Sequence, residues 1–299
     1  MPTVLLIDVG SFFIQRIFHA VDRGQSGFSD EDAVETLVQS VIRLILREDS
    51  AYALCAFDSL SESTWHHALV PSYKPKSASL PERYRAVIPQ ALDALAEAGV
   101  RTLSVPYLES DDVLTSVCRR LSRESVPVRL VSNNIRLIQM LGPGVVLAEP
   151  FSDIVRDAKW LDRRFGIQPY QIPAYLALAG ARSGLSGVPG IGPKRASGLL
   201  CEYGGLDQIL TAANQGALPR SLGDNLSLFA PTVRILEQLY AARTEIFFGL
   251  NVKDLHLERN LHGSRKGEMA GSDLSSGTCP SSSFAMQSHL EQRACAAHV

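Results

Sequence analysis

Five short apolar runs rich in branched side chains recur along the chain, at 4–7, 52–57, 100–105, 128–131 and 145–148. Between them lie stretches at 33–47, 81–98 and 111–122 whose apolar residues fall three and four apart, the spacing of a helix with one buried face. Strands alternating with helices predict an α/β fold built on a parallel sheet. The stretch 59–81 breaks this rhythm: it is polar and aromatic, with prolines at 71, 75 and 81, and it reads as a loop or arch over the sheet.

From residue 157 the pattern turns helical, with segments predicted at 160–165, 171–179, 194–202 and 228–241. The expected organisation is therefore an α/β domain over 1–155, a helical domain over 156–256 and a tail over 257–299. That tail is rich in Ser, Gly and small residues, too poor in apolar surface to fold, and is expected to be disordered.

Composition narrows the class. With 299 residues, 45% of them hydrophobic, and a formal net charge of -2, the chain has an ample core and no general excess of positive charge. A nucleic-acid partner would have to meet a local basic stripe rather than a basic surface. The five cysteines show no paired metal-ligand spacing and read as reduced thiols of a cytoplasmic protein. The N-terminus lacks a basic n-region and meets an aspartate after a few apolar residues, so it reads as a first strand and not a signal peptide; no membrane contact is expected, and a monomer is the expected assembly.

Two features carry candidate chemistry. The first is a set of carboxylates. Asp8 ends the first apolar run and Asp58 follows the second, which puts both at the carboxyl edge of the sheet, where α/β folds gather ligand groups. Glu109, Asp111 and Asp112 open the third helix, as caps or as ligands. Five acidic groups converging on one edge repel unless a cation neutralises them, and hard oxygen donors suit Mg²⁺ or Mn²⁺. A solvated acidic rim without metal is the alternative.

The second feature is the run GVPGIGPKRA at 187–196. It resembles neither a nucleotide P-loop, because Pro193 parts Gly192 from Lys194 and Arg195 stands where a hydroxyl is needed, nor a strand-to-helix turn. A structural turn between helices remains open beside the stronger reading, a helix-hairpin-helix whose bare N–H groups and basic exit grip a nucleic-acid backbone.

Taken together, these motifs resemble the bacterial 5′ nucleases, the flap endonucleases and the 5′-to-3′ exonuclease domain of DNA polymerase I. The resemblance spans residues 3–250 and rests on Leu6-Ile7-Asp8 with Arg16 and Phe18-His19-Ala20, Ala56-Phe57-Asp58-Ser59, Pro71-Ser72-Tyr73-Lys74 with Leu80-Pro81-Glu82, Glu109-Ser110-Asp111-Asp112-Val113 and the hairpin. It implies a PIN-like nuclease domain followed by a helix-three-turn-helix that holds duplex DNA, in replication and repair, with a potassium ion often bound at the hairpin. Asp8, Asp58, Glu109 and Asp111 match the ligands of a first metal ion. Asp112 matches a holder of outer-sphere water, and Lys74 a basic residue close to the scissile phosphate. Arg16, Gly187, Gly190, Gly192, Lys194 and Arg195 fall on the DNA-contacting side of the pattern.

The chain also departs from that pattern. Asn134 and Arg136 stand where the family has a D-x-D pair, and 180–185 lacks the acidic pair of a D-S-S-D run. The resemblance with these departures implies one divalent ion instead of two, weakened hydrolysis, and a fixed charge at Arg136 that contacts a phosphate. The alternative is a DNA-junction-binding protein that keeps the fold without cutting. Ser77 replaces an arginine of the arch, while His66, His67 and Trp65 read as surface or packing residues.

Overall fold

The computed structural model describes residues 2–10, 13–14, 29–61, 63–74, 82–181 and 185–257. Arg16, the motif at 18–20, Ser77, Leu80, Pro81, Arg182 and everything beyond residue 257 lie outside the described residues.

Five strands form the parallel part of the sheet: β1 (Val4–Val9), β2 (Tyr52–Phe57), β3 (Arg101–Ser104), β4 (Val128–Val131) and β5 (Val145–Ala148). The spatial order is β3-β2-β1-β4-β5-β6, with β6 (Val155–Arg156) added antiparallel at one edge. Two residues are too few to show a periodic pattern, which is why β6 escapes sequence reading. The chain winds outward from β1 through β2 to β3, then crosses back to β4 on the other side of β1. The carboxyl ends of β1 and β4 therefore flank a topological switch point, the crevice where doubly wound sheets bind ligands.

Alternate residues of the strands feed two cores, as a period of two requires. Leu5, Ile7, Ala53, Cys55 and Phe57 pack against α1 (Asp30–Glu48) and the later helix at Ile88–Glu97, whereas Val4, Leu6, Leu54 and Ala56 join the core shared with the helical portion. A capping box between Ser29 and Asp32 starts α1. The segment read as an arch departs from expectation in its described part: Thr64 caps a short helix, α2 (Trp65–Leu69), which packs down instead of standing open. Its His66 side chain is fully enclosed.

The single helix expected over 81–98 is two, α3 (Glu82–Ala86) and α4 (Ile88–Glu97), because Pro89 lacks an N–H and is accommodated only in a first helical turn. After α5 (Ser110–Arg123) and β4, a 3₁₀ turn at Ile135–Met140 leads to β5. The helical portion comprises α6 (Ala158–Phe165), α7 (Ile172–Ala179), α8 (Pro193–Tyr203), α9 (Leu206–Asn214) and α10 (Arg220–Tyr240). α9 was legible but unread: Leu206, Ile209, Leu210 and Ala213 form its buried stripe. α10 begins eight residues before the expected start at 228, carrying Pro231 within it. Among the described residues, no helix is long and apolar enough to cross a membrane.

Candidate active site

Asp8 lies at the end of β1 and Asp58 just beyond β2, and one serine ties them together. Ser110 Oγ donates to Asp8 Oδ1 at 2.6 Å and lies 3.0 Å from Asp58 Oδ1, while the Ser110 backbone N–H also donates to Asp58 Oδ1 at 3.0 Å. From the end of β4, Ser132 Oγ donates to the other oxygen of Asp8 at 2.5 Å. Burial and the neighbouring Asp58 push the Asp8 carboxyl up to about 6, with Asp111 adding to the repulsion and the two serines opposing it. Gly10 makes this closeness possible: a Cβ there would sit 2.8 Å from both Asp8 Oδ1 and Ser110 Oγ.

The N-terminus of α5 holds a second, charge-compensated group. Glu109 is the N-cap residue, and its backbone N–H donates to Asp112 Oδ2 at 3.1 Å in a capping box. Lys74 Nζ and Tyr73 Oη both bond Glu109 Oε2, at 2.8 and 3.1 Å. Arg136 lies buried among the carboxylates, 2.8 Å from Asp111 Oδ2, 3.7 Å from Glu109 Oε2 and 3.8 Å from Asp112 Oδ1. Asn134 adds a second bond to Asp111 Oδ2 at 2.8 Å and accepts from the Arg136 backbone N–H.

An aromatic stack backs this group. The His66 ring lies between Trp65 and Tyr73, with centroids 3.9 and 4.5 Å away, and the Trp65 indole donates to Asp112 Oδ2 at 2.8 Å. Burial and then the Arg136 guanidinium push the His66 imidazole down to about 2, so the ring is neutral and Nε2 accepts from Arg136 Nη1 at 3.0 Å. Burial and the adjacent Asp111 push the Asp112 carboxyl up. For Lys74, burial acts downward, yet Glu109 outweighs it and the ammonium is held above its ordinary range. The Arg243 guanidinium covers the outer face of Trp65 at 3.9 Å.

The structure thus gathers Asp8, Asp58, Glu109, Asp111, Asp112 and Lys74 at one edge and corrects two expected roles. Arg136 faces inward to carboxylates rather than outward to a phosphate, because the low-dielectric cluster it enters needs a counter-charge. Asp112 is buried beneath Trp65 and caps α5 through Oδ2, rather than standing open at the edge of the site. Glu109 spends Oε2 on Lys74 and Tyr73, and Asp111 spends Oδ2 on Arg136 and Asn134, so each keeps its other carboxylate oxygen beside Asp8 and Asp58. Sequence reading missed the roles of Ser110 and Ser132; Ser110 opens α5 and Ser132 directly follows β4, but a lone serine carries no pattern.

Among the described residues, no three acidic, imidazole or thiol groups stand at ligating distances from a common point as they lie. Their donor chemistry nevertheless fits one hard cation. The buried Asp111 Oδ1 has no hydrogen-bond partner, and both oxygens of Asp8 are engaged by neutral, exchangeable hydroxyls and an N–H group.

The hairpin leads from α7 into α8. Gly187 is pressed onto the end of α7, where a Cβ would meet Leu178 O at 2.3 Å and Gly180 N at 2.4 Å, so the turn can close only with glycine there. Gly190 takes a left-handed φ of 80°. Gly192 is the N-cap of α8, with no side chain occupying the first-turn N–H groups, and Pro193 stands in that first turn. Lys194 is exposed, whereas Arg195 donates to Gly190 O at 2.7 Å and braces the turn. Asn225 engages the Pro189 carbonyl at 3.1 Å.

An acidic crevice at the switch point of a parallel sheet, joined to a glycine-turned helical portion, defines an α/β nuclease. The chain belongs to the 5′-3′ exonuclease family: residues 3–166 match its N-terminal resolvase-like domain and residues 167–262 its C-terminal SAM fold. A 5′-3′ exonuclease of Aquifex aeolicus (strain VF5) is 28% identical over 264 residues, which cover 87% of this chain and 88% of that one. Flap endonuclease Xni of Pectobacterium carotovorum subsp. carotovorum (strain PC1) is 29% identical over 259 residues, covering 86% and 96%. Among solved structures, T5 D15 protein co-crystallized with metal ions aligns with a TM-score of 0.66 at 17% identity, covering 81% of this chain and 90% of that one. The catalytic core of Rad2 in complex with DNA substrate aligns with a TM-score of 0.57 at 14% identity, covering 82% and 79%. At such identities the likeness is one of fold.

Proposed function

We propose that this chain is a structure-selective 5′-3′ exonuclease and flap endonuclease, a cytoplasmic monomer that hydrolyses DNA phosphodiesters where a single-stranded 5′ end meets duplex, with one Mg²⁺ or Mn²⁺ ion. The observation that carries the reading is the juxtaposition of Asp8 and Asp58 through Ser110 at the switch point, beside the orphaned Asp111 Oδ1. These three aspartates, with Glu109 through its remaining oxygen, would hold the ion. When bound there, it supplies an oriented, acidified water and charge stabilisation for the phosphoryl oxygens.

The chain's own residues complete the site. Lys74 keeps 39% of its side chain exposed while bonded to Glu109, so its remaining donors are offered to a phosphate. Arg136 supplies the compensation that a second ion would provide, but it polarises no water. In this reading residues 1–155 carry the chemistry and 156–256 hold the duplex, through Lys194 and the open N–H groups of α8. A potassium ion at the hairpin would compete with Asn225 and Arg195 for the carbonyls of Pro189 and Gly190.

A second reading, a junction-binding protein that does not cut, draws support from the pairing of Lys74 and Arg136 with carboxylates a metal would need. Incubating a labelled 5′-flap duplex with Mg²⁺ or Mn²⁺, beside an Asp8→Ala control, decides between the two. Metal-dependent cleavage lost in Asp8→Ala, with one ion per chain by calorimetry, supports the nuclease. A gel shift without cleavage in either metal selects the binding protein.

A further inference from the structure

Tyr107 is an exposed aromatic held in a conformation that tyrosine rarely adopts. Its φ is 64°, in the left-handed region, and 62% of the residue is open to solvent. A non-glycine residue in that region is strained, tolerated only where the surroundings over-determine it. Here they do: the Tyr107 N–H donates to Ser59 Oγ at 3.1 Å, and its carbonyl accepts from the Trp65 N–H at 3.2 Å. The next residue, Leu108, accepts from the Ser59 N–H at 3.0 Å.

These bonds tie Tyr107 to three elements of the acidic site at once. Ser59 follows Asp58, Trp65 bonds Asp112, and Glu109 lies two residues on. Yet the phenol itself makes no ring stack, hydrogen bond or ion pair among the described residues. The site's other tyrosine, Tyr73, is buried and partnered against His66 and Glu109. Tyr107 instead leaves its ring open to solvent, while its backbone is tied through Ser59 and Trp65 to the acidic edge proposed to receive a phosphodiester.

We infer that Tyr107 is a stacking platform for the nucleobase adjoining the scissile phosphate, so that the base is held by its π-face and no sequence is read. The inference rests on the proposed nuclease reading. Stacking of this kind tolerates every base, which suits selection by structure. It also explains why the position carries an aromatic although glycine would relieve the backbone.

The test measures kcat and KM on a 5′-flap duplex for the wild type, Tyr107→Phe, Tyr107→Leu and Tyr107→Gly, together with thermal midpoints. The expected result is a KM raised roughly ten- to hundredfold in Tyr107→Leu and Tyr107→Gly, rescued in Tyr107→Phe, which keeps the ring. Tyr107→Gly is expected to melt no lower than the wild type, because the strain is gone. A 2-aminopurine next to the scissile phosphate should be quenched on binding to the wild type and Tyr107→Phe but not to Tyr107→Leu. An unchanged KM and quench in Tyr107→Leu overturns the inference, as does a lowered midpoint in Tyr107→Gly. A wild type that neither binds nor cuts the flap overturns the nuclease reading itself, a separate outcome.

Discussion

Arg136 Nη1 lies 2.8 Å from Asp111 Oδ2, with both side chains buried at the N-terminus of α5. The guanidinium faces Glu109 and Asp112 as well, so one fixed cation serves three carboxylates. Breaking a buried pair by removing one partner leaves uncompensated charge and costs about 3–5 kcal/mol. Arg136→Gln is therefore expected to lower unfolding stability in urea by about that much. Arg136→Lys should recover only part of the loss, since an ammonium cannot reach three carboxylates and the His66 ring from one fork. Adding Asp111→Asn to Arg136→Gln should reduce the cost below the sum of the single changes, a coupling read from the double-mutant cycle. Strict additivity would show that the two groups do not depend on each other.

Asp8 shows the opposite balance. Its carboxyl is raised to about 6 by burial and Asp58, so at pH 7.5 it is ionised at a cost to the fold. Sign follows from the shift: the folded state binds its proton more tightly than the unfolded one, so stability is fullest below the ordinary carboxylate range and is lost as pH rises through 6. Asp8→Asn removes the charge while keeping an acceptor for a serine hydroxyl. It is expected to raise unfolding stability at pH 7.5 by about 1–3 kcal/mol and to abolish flap cleavage. A destabilised variant would show that the Ser110 and Ser132 bonds outweigh the repulsion.

The two kinds of carboxylate differed in how readily they could be read from sequence. Asp8 and Asp58 were legible because each interrupts an apolar run, and a strand-end acid in a parallel sheet points to the ligand edge. The sheet and most helices followed from periodicity for the same reason. Arg136 was legible as an unusual charge but not as a buried one: it stands between Ile135 and Leu137 just after a polar turn, and its inward turn is set by carboxylates 24 to 27 positions earlier in the chain. His66, Trp65 and Tyr73 sit in a proline-broken polar stretch, so nothing local announces that tertiary contacts fold them into a stack. Gly187 kept its place in the hairpin, yet only the approach of Leu178 and Gly180 shows which side of the turn it serves.

His66 makes the stability of the site sensitive to acid. The folded state holds its imidazole neutral, with the pKa down to about 2, while the unfolded chain titrates near its ordinary value of 6.5. Between those values the unfolded state binds more protons, so this contribution is full above pH 6.5 and falls as pH drops, by at most about 1.4 kcal/mol per unit. Asp8 acts against it only where its own carboxyl titrates, between its ordinary value and 6. Urea unfolding at pH 7.5, 6, 5 and 4 should show a steeper acid loss in the wild type than in His66→Gln, which cannot be protonated. Parallel curves would place the acid sensitivity elsewhere.

Lys194 offers the cleanest probe of the hairpin, because it is exposed while its neighbour Arg195 holds Gly190 O and shapes the turn. A lysine that neutralises one phosphate releases its condensed counterions, and the log-log slope of affinity against salt records each such contact at about 0.9 per charge. Lys194→Ala is therefore expected to weaken duplex binding, to flatten the salt slope by about one unit, and to leave the melting temperature unchanged. Arg195→Ala should lower affinity together with the melting temperature, since it removes a brace as well as a charge. If Lys194→Ala leaves the slope as it was, the hairpin does not meet the DNA backbone, and the duplex must lie against another face of the helical portion.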